Sequence, residues 1–249
     1  MRNEIFCSGC RVFKTSHLPL HLLTTRDGNN KTIVLAWAIC ETESGDTYEY
    51  FAAQCHLAGL SRYLSGATSI ISDRQKGIKQ FHNAFAAKEG RCFHHLIANC
   101  RKHISDSMQT FTDATAWLLQ RAPTETEYKA QLLRVKRQSP LAAKYFDDLK
   151  PHNQMYQYAM TPSGIATHGF KTSQIVEGMN GVFAKARFDA PYRLNAKILK
   201  WQGKELQIRE ENMAKWIKEG HPLTKYATDL FKVQVGLGPS HIYVGPSHI

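Results

Sequence analysis

"RDGNNKTIVLAWAIC" (26–40) decides the fold class. Asp27-Gly28 with two asparagines after it suits a tight turn needing positive φ, and "TIVLAWAIC" (32–40) is a nearly continuous apolar run. Such a turn before such a run predicts a hairpin ending in a strand buried on both faces. Working back from the turn, residues 17–25 and 5–13 read as two more strands, making a three-stranded antiparallel meander. Forward from it, "GDTYEYFAAQCHLAGL" opens a helix that Asp46 can cap, with Glu49 three residues on. Tyr48, Phe51, Ala52, Cys55 and Gly59 form its apolar face. "ATSIISDRQKG" (67–77) carries a fourth short strand, and a helix follows through Phe85. "GRCFHHLIANC" (90–100) reads as a fifth strand running into a helix. Residues 101–150 follow a helical pattern broken at Pro123 and Pro140. Another helix is expected over 167–188, entered through Thr172 and Ser173. The expected fold is α/β: a mixed sheet of five strands, three antiparallel and two further, flanked by helices, with a helical insertion at about 101–168.

Length and composition fit this expectation. At 249 residues and 43% hydrophobic, the chain can bury a core without staples. Six cysteines, scattered along it, do not make a secreted disulfide framework. The longest apolar run, Ile33 to Cys40, is far short of the ~20 residues of a spanning helix, and "MRNEIFCSGC" carries no secretion signal. An intracellular location, nuclear or otherwise, is expected.

The net charge of +11 and a pI near 9.4 favour polyanionic partners. Between Tyr128 and Lys144 stand five bases, Lys129, Arg134, Lys136, Arg137 and Lys144, and no acid. Between Lys185 and Lys204 stand six bases against Asp189, among them Arg187, Arg193 and Lys197. Either stretch alone reads as a solvated helix face. Together, Lys129, Arg134, Lys136, Arg137, Lys185, Arg187, Arg193 and Lys197 are candidate DNA contacts.

Two acids stand where chemistry gathers. Asp73 ends the fourth strand, at the edge where open α/β sheets collect ligands. Glu177 lies on a late helix and shares a face with Asn180. Two such carboxylates can hold divalent metal for phosphoryl chemistry, and oxygen donors suit Mg²⁺ or Mn²⁺. Cys7-x-x-Cys10 with Cys92-x-x-His95 has the ligand count and spacings of a structural zinc site. Residues 7 and 10 of a strand point to opposite faces, however, which disfavours zinc. A thioredoxin-like redox role is weaker, because that motif belongs between a strand and a helix. Nucleophile-elbow, phosphate-loop and dinucleotide-glycine motifs are absent from the sequence.

"DGNNKTIVLAWAICETESGDTYEYF", "IISDRQKGI", "CFHHLIANC" and "TSQIVEGMNGVFAKAR", in that order and spacing, resemble the transposase domain of Mutator-like elements (MULE). That domain is a DDE-type enzyme on an RNase H-like fold. The resemblance runs from about residue 5 to 200, which implies a domain over 1–200 and leaves 201–249 as a helical segment and short tail. It implies metal-dependent DNA cleavage and strand transfer in transposition, with oligomers as the usual assembly. The family's second Asp falls on Asp73, its Cys-x-x-His on Cys92 and His95, and its final Glu on Glu177. Gln174 stands where Asn is frequent. The first Asp position falls on Ser8, and neither Glu4 nor Asp27 is placed to substitute for it. A hydroxyl cannot bridge two metals as a carboxylate does, so impaired catalysis is expected. The alternative is a domesticated DNA-binding or regulatory module without chemistry, and a zinc-stabilised interaction domain ranks third. Related transposases often continue into a SWIM-type zinc finger, but no cysteine follows residue 200. A catalytic-domain fragment or degenerate copy is expected, and the doubled "GPSHI" of the tail reads as a slipped repeat.

Overall fold

The computed structural model describes residues 5–7, 19–64, 66, 68–73, 77–165 and 171–236. For residues 5–7, 187, 188, 234 and 236 it describes only the backbone. Ser8 and Cys10, and the side chain of Cys7, therefore lie outside the described residues.

β2 (Leu20–Arg26) and β3 (Thr32–Ile39) form an antiparallel hairpin. The turn closes as its chemistry dictates. Asp27 Oδ1 accepts hydrogen bonds from the Asn29 and Lys31 amides at 2.8 Å each, and Asn30 takes the positive φ of 59°. A bulge between Leu23 and Thr24 shifts the register within the pair. β4 (Ser69–Ser72) and β5 (Lys88–Arg91) pair in parallel. The backbone of β1 (Ile5–Cys7), three residues long, bridges the two pairs, antiparallel to β2 and parallel to β4, in the order β3-β2-β1-β4-β5.

This corrects the expected RNase H-like five-stranded sheet. The protein is mostly helical, at 62% of the described residues, and apart from the β1 bridge its strands form one small antiparallel pair and one small parallel pair. The first strand was expected to run over 5–13; residues 5–7 pair, and 8–13 lie outside the described residues. β4 and β5 have four residues each. β5, Lys-Glu-Gly-Arg, carries no apolar run to mark it.

β2 is the buried strand. Leu20, Leu22, Leu23, Thr24 and His21 are all 0–1% exposed. Its alternation feeds two cores. Leu23 packs with Tyr48, Phe51, Ala52 and Cys55 of α1 (Gly45–Leu57) and with Ile78, Phe81 and Phe85 of α2 (Ile78–Phe85). Leu20 and Leu22 pack on the other side with Val176 and Met179 of α8 (Gln174–Val182) and Leu194 and Ile198 of α9 (Pro191–Lys218). β3, expected to be buried on both faces, is instead an edge strand, half-buried along most of its length, with only Val34 fully covered.

α1 has the expected buried face, but its cap differs. Ser44 is the N-cap, in a reciprocal capping box with Thr47, and takes the place expected for Asp46 and Glu49. Gly59, expected on the apolar face, follows the helix at φ 76°. Gly77 lets α2 approach α1, since a Cβ there would meet the Ser44 carbonyl carbon at 2.8 Å.

The helical lobe comprises α3 (Phe93–His103), α4 (Asp113–Arg121), α5 (Glu125–Gln138), α6 (Pro140–Asp148) and the short α7 (Gln157–Met160). Pro123 falls in the α4–α5 break, and Pro140 opens α6 with Ser139 as its N-cap. Its core joins Phe93, Leu96, Phe111, Leu119, Val135, Phe146 and Tyr156. α9 runs without interruption through residue 200, and α10 (Lys225–Gly236) follows it. Among the described residues no helix is long and apolar enough to cross a membrane.

Phe146→Ala should lower unfolding stability by about 3–5 kcal/mol in a urea titration, because Phe146 is fully buried at the centre of the lobe. His21 packs against Tyr48 with ring centroids 4.2 Å apart and planes tilted by 58°, and among the described residues neither ring nitrogen has a hydrogen-bond partner. Burial lowers its pKa from 6.5 to about 4. Stability should therefore be complete above pH 6.5 and fall as the unfolded chain takes up the proton between pH 6.5 and 4, by roughly 3 kcal/mol. Chemical denaturation of His21→Leu across that range should show a correspondingly shallower loss.

Candidate functional site

The site lies at the C-terminal ends of the parallel pair β4–β5. Its position follows from backbone bonding. The Cys92 amide donates to the Ser72 carbonyl at 2.7 Å, extending the ladder one residue past both strands. Asp73 follows β4 directly and is half-buried, while Cys92 follows β5 and becomes the N-cap position of α3. His95 lies three residues on, one helical turn away, so it faces back over Cys92.

Two further bonds bring in α8. The Phe93 amide donates to the Lys171 carbonyl at 3.0 Å, and the Ser173 amide donates to Cys92 Sγ at 3.2 Å. Residues 171–173 are thus latched to the start of α3, and α8 begins at Gln174 beside it. Glu177, in the first turn of α8, comes to 3.3 Å from His95, measured Oε1 to Nε2. Ile71, Cys92 and Ile175 form a small apolar floor under these groups.

The electrostatics centre on His95. Hydrogen bonding to the Cys92 thiol is the largest influence and raises its pKa; burial opposes this, and the charges of Cys92, Glu177 and Asp73 reinforce it. Burial alone would push the Cys92 thiol up, but hydrogen bonds from His95 and Ser173 outweigh it, and the net shift is downward. Cys92 and His95 therefore lean together toward a thiolate–imidazolium pair, with two carboxylates near the cation. Cys92 is only 1% exposed, so the thiol is held inside the protein. Beneath Asp73, His82 is buried and its Nε2 lies 3.1 Å from Ser72 Oγ. Burial lowers the His82 pKa, and Glu89 opposes the shift.

Of the residues singled out by sequence, the structure brings together Asp73, Cys92, His95 and Glu177. Asn180 is buried on the same helix as Glu177. Ser8 lies outside the described residues, as does the pairing of Cys7 and Cys10 with Cys92 and His95. The basic candidates are spread more widely. Lys129, Arg134, Lys136 and Arg137 are exposed on α5, where Lys129 pairs with Glu125 at 2.7 Å. Lys185 is exposed in the 3₁₀ turn after α8, and the side chain of Arg187 is outside the described set. On α9, Lys197 pairs with Asp189 at 2.6 Å and Arg193 lies over the Tyr192 ring.

Sequence reasoning missed Lys171 and Ser173 as the latch. Both act through backbone groups, which carry no residue-type signal, and Ser173 read only as a helix entry. Among the described residues no group of three or more His, Cys, Asp and Glu side chains is placed to hold a metal ion. An imidazole stands against Glu177 where a Mg²⁺ or Mn²⁺ site needs further oxygen donors. The described residues do not fit a two-metal centre. Comparison with known protein families and with curated proteins gives no match.

In an NMR titration the His95 ring should titrate above 6.5. Its pKa should fall in Glu177→Gln and fall further in Cys92→Ala, since the thiol is the larger influence. A wild-type value at or below 6.5 would contradict this account of the cluster.

Proposed function

We propose that the chain is a transposase-derived DNA-binding module of the Mutator-like kind its motifs resemble, with its strand-cleaving chemistry impaired or lost. The reading is carried by the convergence of Asp73, Cys92-x-x-His95 and Glu177, three motifs far apart in sequence, at one strand edge.

Impairment is supported by the company Glu177 keeps. Its nearest described partner is an imidazole whose protonation is favoured, and a cation there competes with a divalent ion for the same carboxylate. Ser8 in the first acid position removes a further anionic donor from the motif set. Asp73, Glu177 and His95 then serve to hold α3, α8 and the β4 edge together electrostatically.

The charge distribution supports DNA as the partner. The chain carries +11 overall. On α5, Glu125 and Glu127 occupy the first turn and Lys136 and Arg137 the last, as the helix dipole favours. Arg134, Lys136 and Arg137 stand exposed with no acidic partner among the described residues. Such a surface binds phosphates without reading sequence.

Duplex binding should fall steeply between 50 and 200 mM salt, by about 10³-fold if six phosphates are neutralised. Arg134→Ala combined with Arg137→Ala should weaken binding about tenfold or more at low salt and lower the salt slope by about two. Binding that changes less than about threefold over that range counts against DNA. Mn²⁺-dependent nicking by the wild-type chain, abolished in Glu177→Gln, would overturn the loss of chemistry.

A further inference from the structure

α9 has two apolar faces, and only one of them packs against other described residues. On the inner face, Leu194 and Ile198 are buried in the core behind β2. Further along, Gln202 donates to the Val34 carbonyl at 2.9 Å. Arg209 donates to Asp27 Oδ2 at 2.8 Å and to the Thr32 carbonyl at 2.7 Å. The inner face is therefore pinned to the hairpin over most of its length. On the outer face, Tyr192, Ala196, Leu199, Gly203, Leu206, Glu210, Met213 and Ile217 are all exposed, the large ones from 49% at Leu206 to 70% at Ile217.

The spacing of these eight residues alternates four and three, the heptad period of a helix that meets another helix along a seam. At 1.5 Å per residue the seam runs about 38 Å. Seven of its eight positions are apolar or small, and Glu210 is the exception. We propose that this seam is a homodimer interface, on which α9 of a second copy packs antiparallel.

The pattern itself specifies the occupant. Laid antiparallel about a point between Lys204 and Glu205, the seam is complementary to itself. Tyr192 then meets Ile217 of the second copy, Ala196 meets Met213, Leu199 meets Glu210, and Gly203 meets Leu206. In two of the four pairs, Ala196–Met213 and Gly203–Leu206, a large side chain falls against a small one, as interdigitated packing favours. Gly203 has open space where a Cβ would be, and it leaves a hollow for the opposite Leu206.

Charge supports the same orientation. Residues 192–204 carry Arg193, Lys197, Lys200 and Lys204 and no acid, whereas 205–219 carry Glu205, Glu210, Glu211 and Glu219 among three bases. Antiparallel packing lays the basic half of each helix on the acidic half of the other and sets Glu210 beside Lys200 of the second copy. Parallel in-register packing would instead set Glu210 against Glu210 and Gly203 against Gly203, a like-charge clash next to a void.

Sedimentation of the full chain from about 1 to 100 μM tests the interface. A dimer is expected for wild type. Leu206→Glu and, separately, Met213→Lys should be monomeric with unchanged circular dichroism and melting temperature, since neither side chain contributes to the monomer core. Orientation is tested with Ala196→Cys and Met213→Cys chains under mild oxidation, with wild type as reference. A disulfide-linked dimer should form when the two variants are mixed and not from either alone. A wild-type chain monomeric at 100 μM, a folded Leu206→Glu that still dimerises, or cross-linking of Ala196→Cys with itself overturns the proposal.

Discussion

The burial of β2 is the constraint from which the other elements take their places. A seven-residue strand with helices on both faces must offer apolar side chains to each, and Leu20, Leu22 and Leu23 do so. His21, between Leu20 and Leu22, must remain neutral, because a charge between Tyr48 and Phe51 meets no counterion among the described residues. α1 and α2 close one side, and α8 and α9 the other. Since α8 lies against β2 through Val176 and Met179, its first turn is carried to the end of the parallel pair, and Glu177 arrives at His95.

What the sequence showed, and what it hid, follows from the range of each interaction. The 26–30 turn, the face of α1 and the breaks at Pro123 and Pro140 are local, and each is readable from a few residues. The apolar run 32–40 is also plain, but burial on one face or two depends on whether another strand lies beyond it, and here none does among the described residues. The cap of α1 went to Ser44 because its extended backbone lets the side chain reach the Thr47 amide, a distinction composition does not make. The bounds of the fifth strand were hidden for a related reason: Lys88–Arg91 carries no β-rich residue and pairs because β4 lies alongside it.

The site was legible to a different degree. Its four chemically distinctive residues were identifiable from motifs, and the structure gathers them. The way they are held was not identifiable, since the latch uses the Phe93 and Ser173 amides and the Lys171 carbonyl. The mutual adjustment of Cys92 and His95 is also a product of the fold. Burial opposes it on both groups, and the hydrogen bonds that His95 and Ser173 make to the thiol outweigh that burial.

The Phe93–Lys171 hydrogen bond joins the point where the chain leaves the strands for the lobe to the point where it returns. The intervening helices, with a core of their own, are thus an excursion whose two ends are already tied. Lengthening such an excursion costs only about 0.6 kcal/mol of closure entropy for each doubling. The lobe can therefore grow, shrink or change its surface charge while His95 and Glu177 keep their separation, which frees one part of the molecule to diverge without disturbing the other.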